Sequence, residues 1–145
     1  MIRRVCTRGI ILKNNKIFAV RQKNSAGQEV DYWCTPGGGL DVGEPILEGL
    51  KREFIEETGV KPSIGRLLIV QQFIDSKGRE QLELFFEILN VDDFDNIDLS
   101  QTTHGEIELA EFGFVDPKHT HLKPSILSNI DLNNIDQTLI IDELN

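Results

Sequence analysis

Between Pro36 and Pro62 the chain has room for one helix and little else, and that helix carries three glutamates on one side. Pro36-Gly37-Gly38-Gly39 interrupts the preceding strand-like stretch Tyr32–Thr35, and the glycines read as irregular backbone. Pro45 suits a first helical position, where its missing N–H costs nothing. Gly59 stands where a left-handed C-cap is expected, and Pro62 prevents early resumption. The spacing therefore predicts a helix over Pro45–Thr58, with Leu47, Leu50 and Phe54 as its apolar stripe. Glu53, Glu56 and Glu57 fall at i, i+3 and i+4, within about 100° of one another around the axis. Like charges so placed repel, and beside a glycine-rich loop they read as a cation platform rather than a solvated acidic face.

The remaining pattern is strand-rich. Val5–Leu12, the turn Lys13–Lys16 and Ile17–Arg21 predict an opening hairpin. Leu67–Phe73 and Leu82–Leu89 read as two strands joined through Ser76-Lys77-Gly78, and Glu111–Val115 as a short one. Lys123–Leu132 predicts a second helix, and Ile135–Leu144 fits helix or strand equally. One long helix in such a chain indicates an α/β or α+β arrangement, and no internal repeat or domain boundary is visible. At 145 residues the expectation is one domain with a full core.

A net charge of −9 argues against nucleic-acid polymers and anionic membranes as partners. No apolar run approaches the ~18 residues of a membrane span, and Arg3, Arg4 and Arg8 leave no signal-like apolar stretch in Met1–Leu12. Cys6 and Cys34 lack metal-ligand spacing and fit a reducing, cytoplasmic setting. An anionic phosphorylated ligand could approach so acidic a site only with divalent cations between them. Carboxylate oxygens are the hard ligands that Mg²⁺ prefers. Gly49, inside the helix on its acidic side, leaves room for metals or for the incoming loop. Arg52 reads as the residue that orients the carboxylates, through pairs with Glu56 and Glu48. Glu44 reads either as a residue favoured by the helix N-terminus or as a direct ligand.

Gly38, five residues, Glu44, seven residues, then Arg52-Glu53-Phe54-x-Glu56-Glu57-x-Gly59-Val60 resembles the Nudix box at every defined position. The approach Trp33-x-x-Pro36-Gly37-Gly38-Gly39 is similar as well. The resemblance implies an α/β/α sandwich on a mixed β-sheet with a loop-helix-loop catalytic motif. It implies hydrolysis of a nucleoside diphosphate linked to another moiety, by attack of water on phosphorus assisted by Mg²⁺ or Mn²⁺. Glu53, Glu56 and Glu57 are then the metal ligands. Glu111 is the best-placed outside acid or base, with Glu108, Glu106 and His104 behind it. Gly37, Gly38, Gly39, Arg21 and Lys23 are expected at the substrate, with Arg3 or Arg4 as further phosphate contacts and Tyr32 or Trp33 stacking on a base. Substrate choice is expected from residues 23–30, 75–80 and 90–106, and a homodimer is common among similar proteins. A non-catalytic nucleotide sensor is the alternative, and an isomerase acting on a prenyl diphosphate is disfavoured by the complete box.

Overall fold

A computed structural model describes residues 2–144. In chain order it contains β1 (Arg3–Ile10), β2 (Leu12–Lys13), β3 (Lys16–Gln22), β4 (Gly37–Gly39), α1 (Ile46–Thr58), β5 (Ile64–Ile74) and β6 (Glu80–Ile88). The short helix α2 (Gly105–Glu108), β7 (Leu109–Val115), the single-turn α3 (Ile126–Asn129) and β8 (Leu139–Glu143) complete it. A five-stranded mixed sheet has the order β4-β1-β6-β5-β8, and a three-stranded sheet the order β2-β3-β7. In the larger sheet β1/β6 and β5/β8 are parallel, while β1/β4 and β5/β6 are antiparallel.

The opening hairpin is real but short. Asn14 and Asn15 both have left-handed φ (52° and 62°), the conformation a two-residue hairpin turn needs. Its strand ladder is Leu12↔Ile17 and Lys13↔Lys16, and the Phe18 N–H also donates to the Ile11 carbonyl at 2.9 Å. The strand expected as Val5–Leu12 breaks at Ile11, because β1 runs in the other sheet beside β6, from Arg3↔Glu80 to Ile10↔Glu87. Local alternation cannot reveal that partner.

The glycines expected as irregular backbone form β4, with Gly37 opposite Arg8 and Gly39 opposite Cys6. Gly37 has φ +140°, and a Cβ there would sit 2.1 Å from the Thr7 carbonyl oxygen. Only bare backbone can pair there. The second helix shrinks from Lys123–Leu132 to the four residues of α3. Asp131 draws the following backbone away, its Oδ1 accepting the N–H of Asn133 at 3.1 Å, a local bond that competes with helix. The undecided C-terminal stretch becomes β8, paired in parallel with β5 from Ile69↔Leu139.

Two apolar clusters flank the larger sheet. Ile10, Ile69 and Phe85 pack with Ile126 and Leu127 of α3, while Ile88 packs with Leu50 and Phe54 of α1. The sheet is thus sandwiched between α1 and α3. Ile17, Phe18, Ala19 and Val20 of β3 are all fully buried and feed alternately into both clusters. The helix begins one residue later than expected, with Pro45 as N-cap and Gly59 as the left-handed C-cap (φ 75°). Its buried stripe is Leu50, Phe54, Glu57 and Thr58, and Leu47 is exposed. Leu50 to Glu57 is about two turns, so Glu57 points where Leu50 points.

The seam between α1 and β1 depends on Gly9. A Cβ there would stand 2.3 Å from Phe54 Cζ and 2.7 Å from Ile88 Cγ1, both in the core. Gly9→Val should therefore cost about 1–3 kcal/mol of stability by overpacking, read as a lowered midpoint in urea denaturation. An unchanged midpoint would contradict this packing.

Candidate active site

The loop before α1 and the helix itself are joined by one guanidinium. Arg52 donates from Nε to Glu44 Oε2 (2.7 Å) and from Nη2 to Glu44 Oε1 (3.0 Å), a two-pronged pair. Its Nη1 reaches Glu53 Oε1 at 3.2 Å and Glu56 Oε2 at 3.1 Å, and Nη2 also donates to the Gly39 carbonyl at 3.2 Å. Arg52 therefore orients Glu53 and Glu56 and fastens β4 to the helix. The pair expected with Glu48 does not form; Glu48 lies 3.5 Å from Lys51 instead. Glu44 makes no N-cap hydrogen bond. It accepts the Asp41 N–H at 3.1 Å and staples the loop, and its hydrogen bonds with Arg52 hold its carboxyl below the usual range.

Glycines make this approach feasible. A Cβ on Gly38 would sit 2.6–2.7 Å from the Glu53 carboxylate. One on Gly49 would meet Leu40 Cδ2 at 2.2 Å and Glu44 Oε1 at 2.9 Å, so Gly49 makes room for the incoming loop.

The three glutamates lie in a gradient of burial. Side-chain exposure is 24% for Glu56 and 16% for Glu53, while Glu57 is 2% exposed and its Oε2 has no hydrogen-bond partner. Burial pushes the Glu57 carboxyl up to about 8, with Arg8 opposing and Glu53, Glu108 and Glu56 adding to the rise. Burial also raises Glu53, against the pull of Arg52. Oxygen donors, crowded negative charge and an unpartnered buried oxygen are what a divalent cation satisfies, so these residues fit one. Among the described residues, no group of three such side chains already converges as an ion cage, since Arg52 lies between Glu53 and Glu56.

The segment after residue 101 closes over the end of α1. The His104 N–H caps the Glu56 carbonyl (2.9 Å), and a Cβ on Gly105 would sit 2.1 Å from the Glu57 carbonyl oxygen. His104 Nδ1 is 3.3 Å from Glu56 Oε2 and 3.9 Å from Glu108 Oε1. Of the outside acids, Glu108 is the one whose charge acts on Glu53 and Glu57. Glu111 lies opposite Arg21 on the β3–β7 ladder and pairs with it. Glu106 is exposed, and its carbonyl accepts from Lys23 Nζ at 3.3 Å. Arg21 also holds Glu29 (2.7 Å), so Arg21 and Lys23 are engaged within the fold.

Arg8, in contrast, was not singled out by sequence pattern. Burial opposes its charge, but Glu83, the two cysteine thiols and Glu57 together raise its pKa above the ordinary arginine value. It donates to Glu83 Oε1 (3.3 Å) and to the Thr35 carbonyl (3.0 Å). The usable signal was a charge at i+2 from Cys6 and i−2 from Ile10, on the inward face of a strand. Arg4 and Arg8 line a cavity of about 470 Å³ together with Tyr32 and residues of the Asp75–Glu80 turn. Trp33 instead packs against the core. A larger depression of about 640 Å³ beside residues 127–133 contains none of the buried unpartnered side-chain atoms.

The NUDIX domain family matches residues 3–129, and the chain belongs to that family. It is 36% identical over 87 residues to an ADP-ribose pyrophosphatase of Methanocaldococcus jannaschii, covering 60% of this chain and 50% of that protein. It is 40% identical over 53 residues to an 8-oxo-dGTP diphosphatase of Buchnera aphidicola, covering 37% of this chain and 40% of that protein. The chain thus spans half or less of the length of these relatives. A crystal structure of the MutT protein from Methanosarcina mazei superposes with a TM-score of 0.68 at 19% identity, covering 86% of this chain and 88% of that one. This likeness is one of fold: the α/β/α Nudix sandwich.

The burial of Glu57 predicts a pH signature. Its folded pKa lies above the unfolded value of 4.5, so its favourable contribution is complete below 4.5 and is lost as pH rises through about 8. Metal-free protein should lose thermal stability across that window and regain it when Mg²⁺ is added at pH 8. Glu57→Gln should flatten both responses in thermal melts, and an unchanged slope in that variant would contradict the assignment. Arg52→Lys should not restore the two-pronged Glu44 pair. We expect it to lower apparent Mg²⁺ affinity by about tenfold in calorimetric titration, the scale seen when residues supporting metal ligands are lost.

Proposed function

We propose that this protein is a divalent-cation-dependent pyrophosphohydrolase. Its substrate is a nucleoside diphosphate linked to another moiety, and its products are a nucleoside monophosphate and the phosphorylated moiety. The observation that carries this reading is the arrangement around Arg52: two oriented carboxylates beside a third, buried one with an unpartnered oxygen. Glu53, Glu56 and Glu57 are the residues that would hold Mg²⁺ or Mn²⁺. Such an ion supplies charge neutralisation at the phosphate oxygens. Arg52 keeps two of the ligands aimed, and bare backbone at Gly38 lets β4 lie close to Glu53, with Gly37 and Gly39 packed on β1 and on Arg4 beside it.

Arg4 and Arg8 are assigned to the phosphates in preference to Arg21 and Lys23, because they line the open cavity beside the Asp75–Glu80 turn and the other two do not. Glu108 is assigned the proton-accepting role in preference to Glu111, because it shares the electrostatic environment of Glu53 and Glu57. The names of the two relatives, a pyrophosphatase and a diphosphatase, agree with the reaction class. No helix among the described residues is long and apolar enough to cross a membrane, and both cysteines are free and buried. A reducing cytoplasm suits them.

Purified protein with Mg²⁺ should release phosphorylated products from a panel of nucleotide sugars, dinucleotides and nucleoside triphosphates. Glu56→Gln and Glu57→Gln should each reduce kcat by at least about a hundredfold while the circular dichroism spectrum is retained. Glu108→Gln should lower kcat by about 10²–10⁴-fold, and Glu111→Gln should not. Tight nucleotide binding without turnover of any compound would favour the sensor reading instead.

A further inference from the structure

The loop that carries Glu44 has an apolar tip that hydrolysis itself does not require. Asp41-Val42-Gly43-Glu44 forms a tight turn: the Glu44 N–H donates to the Asp41 carbonyl at 3.0 Å, and Gly43 supplies a left-handed φ (83°). A second set of bonds fastens it from the side. The Asp41 N–H donates to Glu44 Oε1, and Arg52 holds both oxygens of Glu44. Val42 is therefore fixed at the tip, and it is fully exposed. Turns favour Gly, Pro, Asn, Asp and Ser, each for a backbone reason that valine does not share. With Ile2, Val5 and Leu40, Val42 lines a cavity of about 480 Å³. Ile2 is exposed as well, and the Leu40 N–H donates to the Val5 carbonyl at 2.8 Å, which holds that wall against β1.

Two contacts join this cavity to Arg52. Asp41, part of the lining, has its Oδ2 3.9 Å from Arg52 Nη2. Arg4, also part of the lining, lies against Gly39, its Nη2 3.3 Å from where a Cβ would stand, and the Gly39 carbonyl accepts from Arg52. Arg52 in turn contacts Glu53 and Glu56. Of the three arginines in the lining, Arg3 is paired with Glu80 and Arg79 with Asp75. Arg4 has no ion pair among the described residues. The cavity thus offers four apolar walls and one available cation beside the carboxylate cluster.

We propose that this cavity is the subsite for the moiety on the far side of the diphosphate, and that it selects one with an apolar face, a second base or an alkyl chain, over a free sugar. The proposal rests on the diphosphate-hydrolase reading, because it places the other end of that substrate. A sugar brings several hydroxyls, each of which gives up water on entering and finds only the Asp41 carboxylate and the Arg4 guanidinium as partners. An apolar face gives up little and removes Val42 and Ile2 from water. A wall already held by Glu44 and Arg52 adds to binding without the cost of ordering it.

Turnover and binding are tested separately. Steady-state kinetics of the full chain with Mg²⁺ compares diadenosine diphosphate and the hexyl ester of ADP with ADP-ribose. At least one apolar compound should have a KM about tenfold below that of ADP-ribose, and the pair distinguishes a ring from a chain. Val42→Ser and Ile2→Ser, both at exposed positions, should each move that ratio toward unity, with the change falling on KM. Equal KM for all three substrates overturns the proposal, and so does a preference that survives both substitutions. Methyl NMR with Ca²⁺ in place of Mg²⁺ reads binding directly. The Val42 and Ile2 methyl resonances should shift with the preferred apolar compound and less with ADP-ribose; resonances that stay in place overturn the proposal. Shifts that follow protein concentration without ligand also overturn it and give this face to a second copy. Ligand-dependent shifts in a protein that turns over nothing on the substrate panel would overturn the hydrolase reading and leave the subsite standing.

Discussion

The structure depends on the Arg52 guanidinium more than on any other single group. It makes charge-assisted contacts with Glu44, Glu53 and Glu56 and also holds the Gly39 carbonyl. Glu44 belongs to the loop, Glu53 and Glu56 to the helix and Gly39 to the edge strand. One planar cation therefore sets the relative positions of three separate pieces of backbone. A lysine ammonium has no such fixed fork. One positive charge also cannot neutralise three carboxylates, and this deficit is what leaves the cluster receptive to a further cation.

The second constraint is the price of Glu57. A carboxyl group on the buried stripe of α1 takes a position that Leu50 and Phe54 would otherwise extend. Burial raises its pKa, and the nearby Arg8 offsets only part of that. Arg8 is itself tied to Glu83 and the Thr35 carbonyl, so the charge that opposes this rise is anchored on the larger sheet. Shifts of this electrostatic kind cluster at functional sites. Here Arg8, which opposes the Glu57 shift, also lines the cavity shared by Gln71 and Glu83.

Much of the fold was legible in sequence because its signals are local. Pro45 and Gly59 mark the helix ends to within a residue, and Asn14-Asn15 marks a tight turn. Gly38 and Gly49 announced close approaches, although not which side chains would fill the space. Pairing was not legible. The β1–β6 partnership joins residues about 77 positions apart, from Arg3↔Glu80 onward, and nothing in either strand names the other. In THGEIELAEFGF the sequence ranks Glu111, just before the short aromatic strand, ahead of Glu108. Cross-strand register gives Glu111 to Arg21, and the packing of residues 102–105 on α1 brings Glu108 into the field of the glutamates.

The sequence by itself determined the helix, its caps, the three glutamates on one side and the family to which that spacing belongs. These follow from dihedral preference and helical periodicity, which act within a few residues. The tertiary structure alone decided which glutamate is buried and which basic residues line the cavity. Burial and charge coupling depend on atoms brought together from distant strands. Arg8, Glu83 and Gln71 acquire their meaning only when β1, β6 and β5 lie side by side.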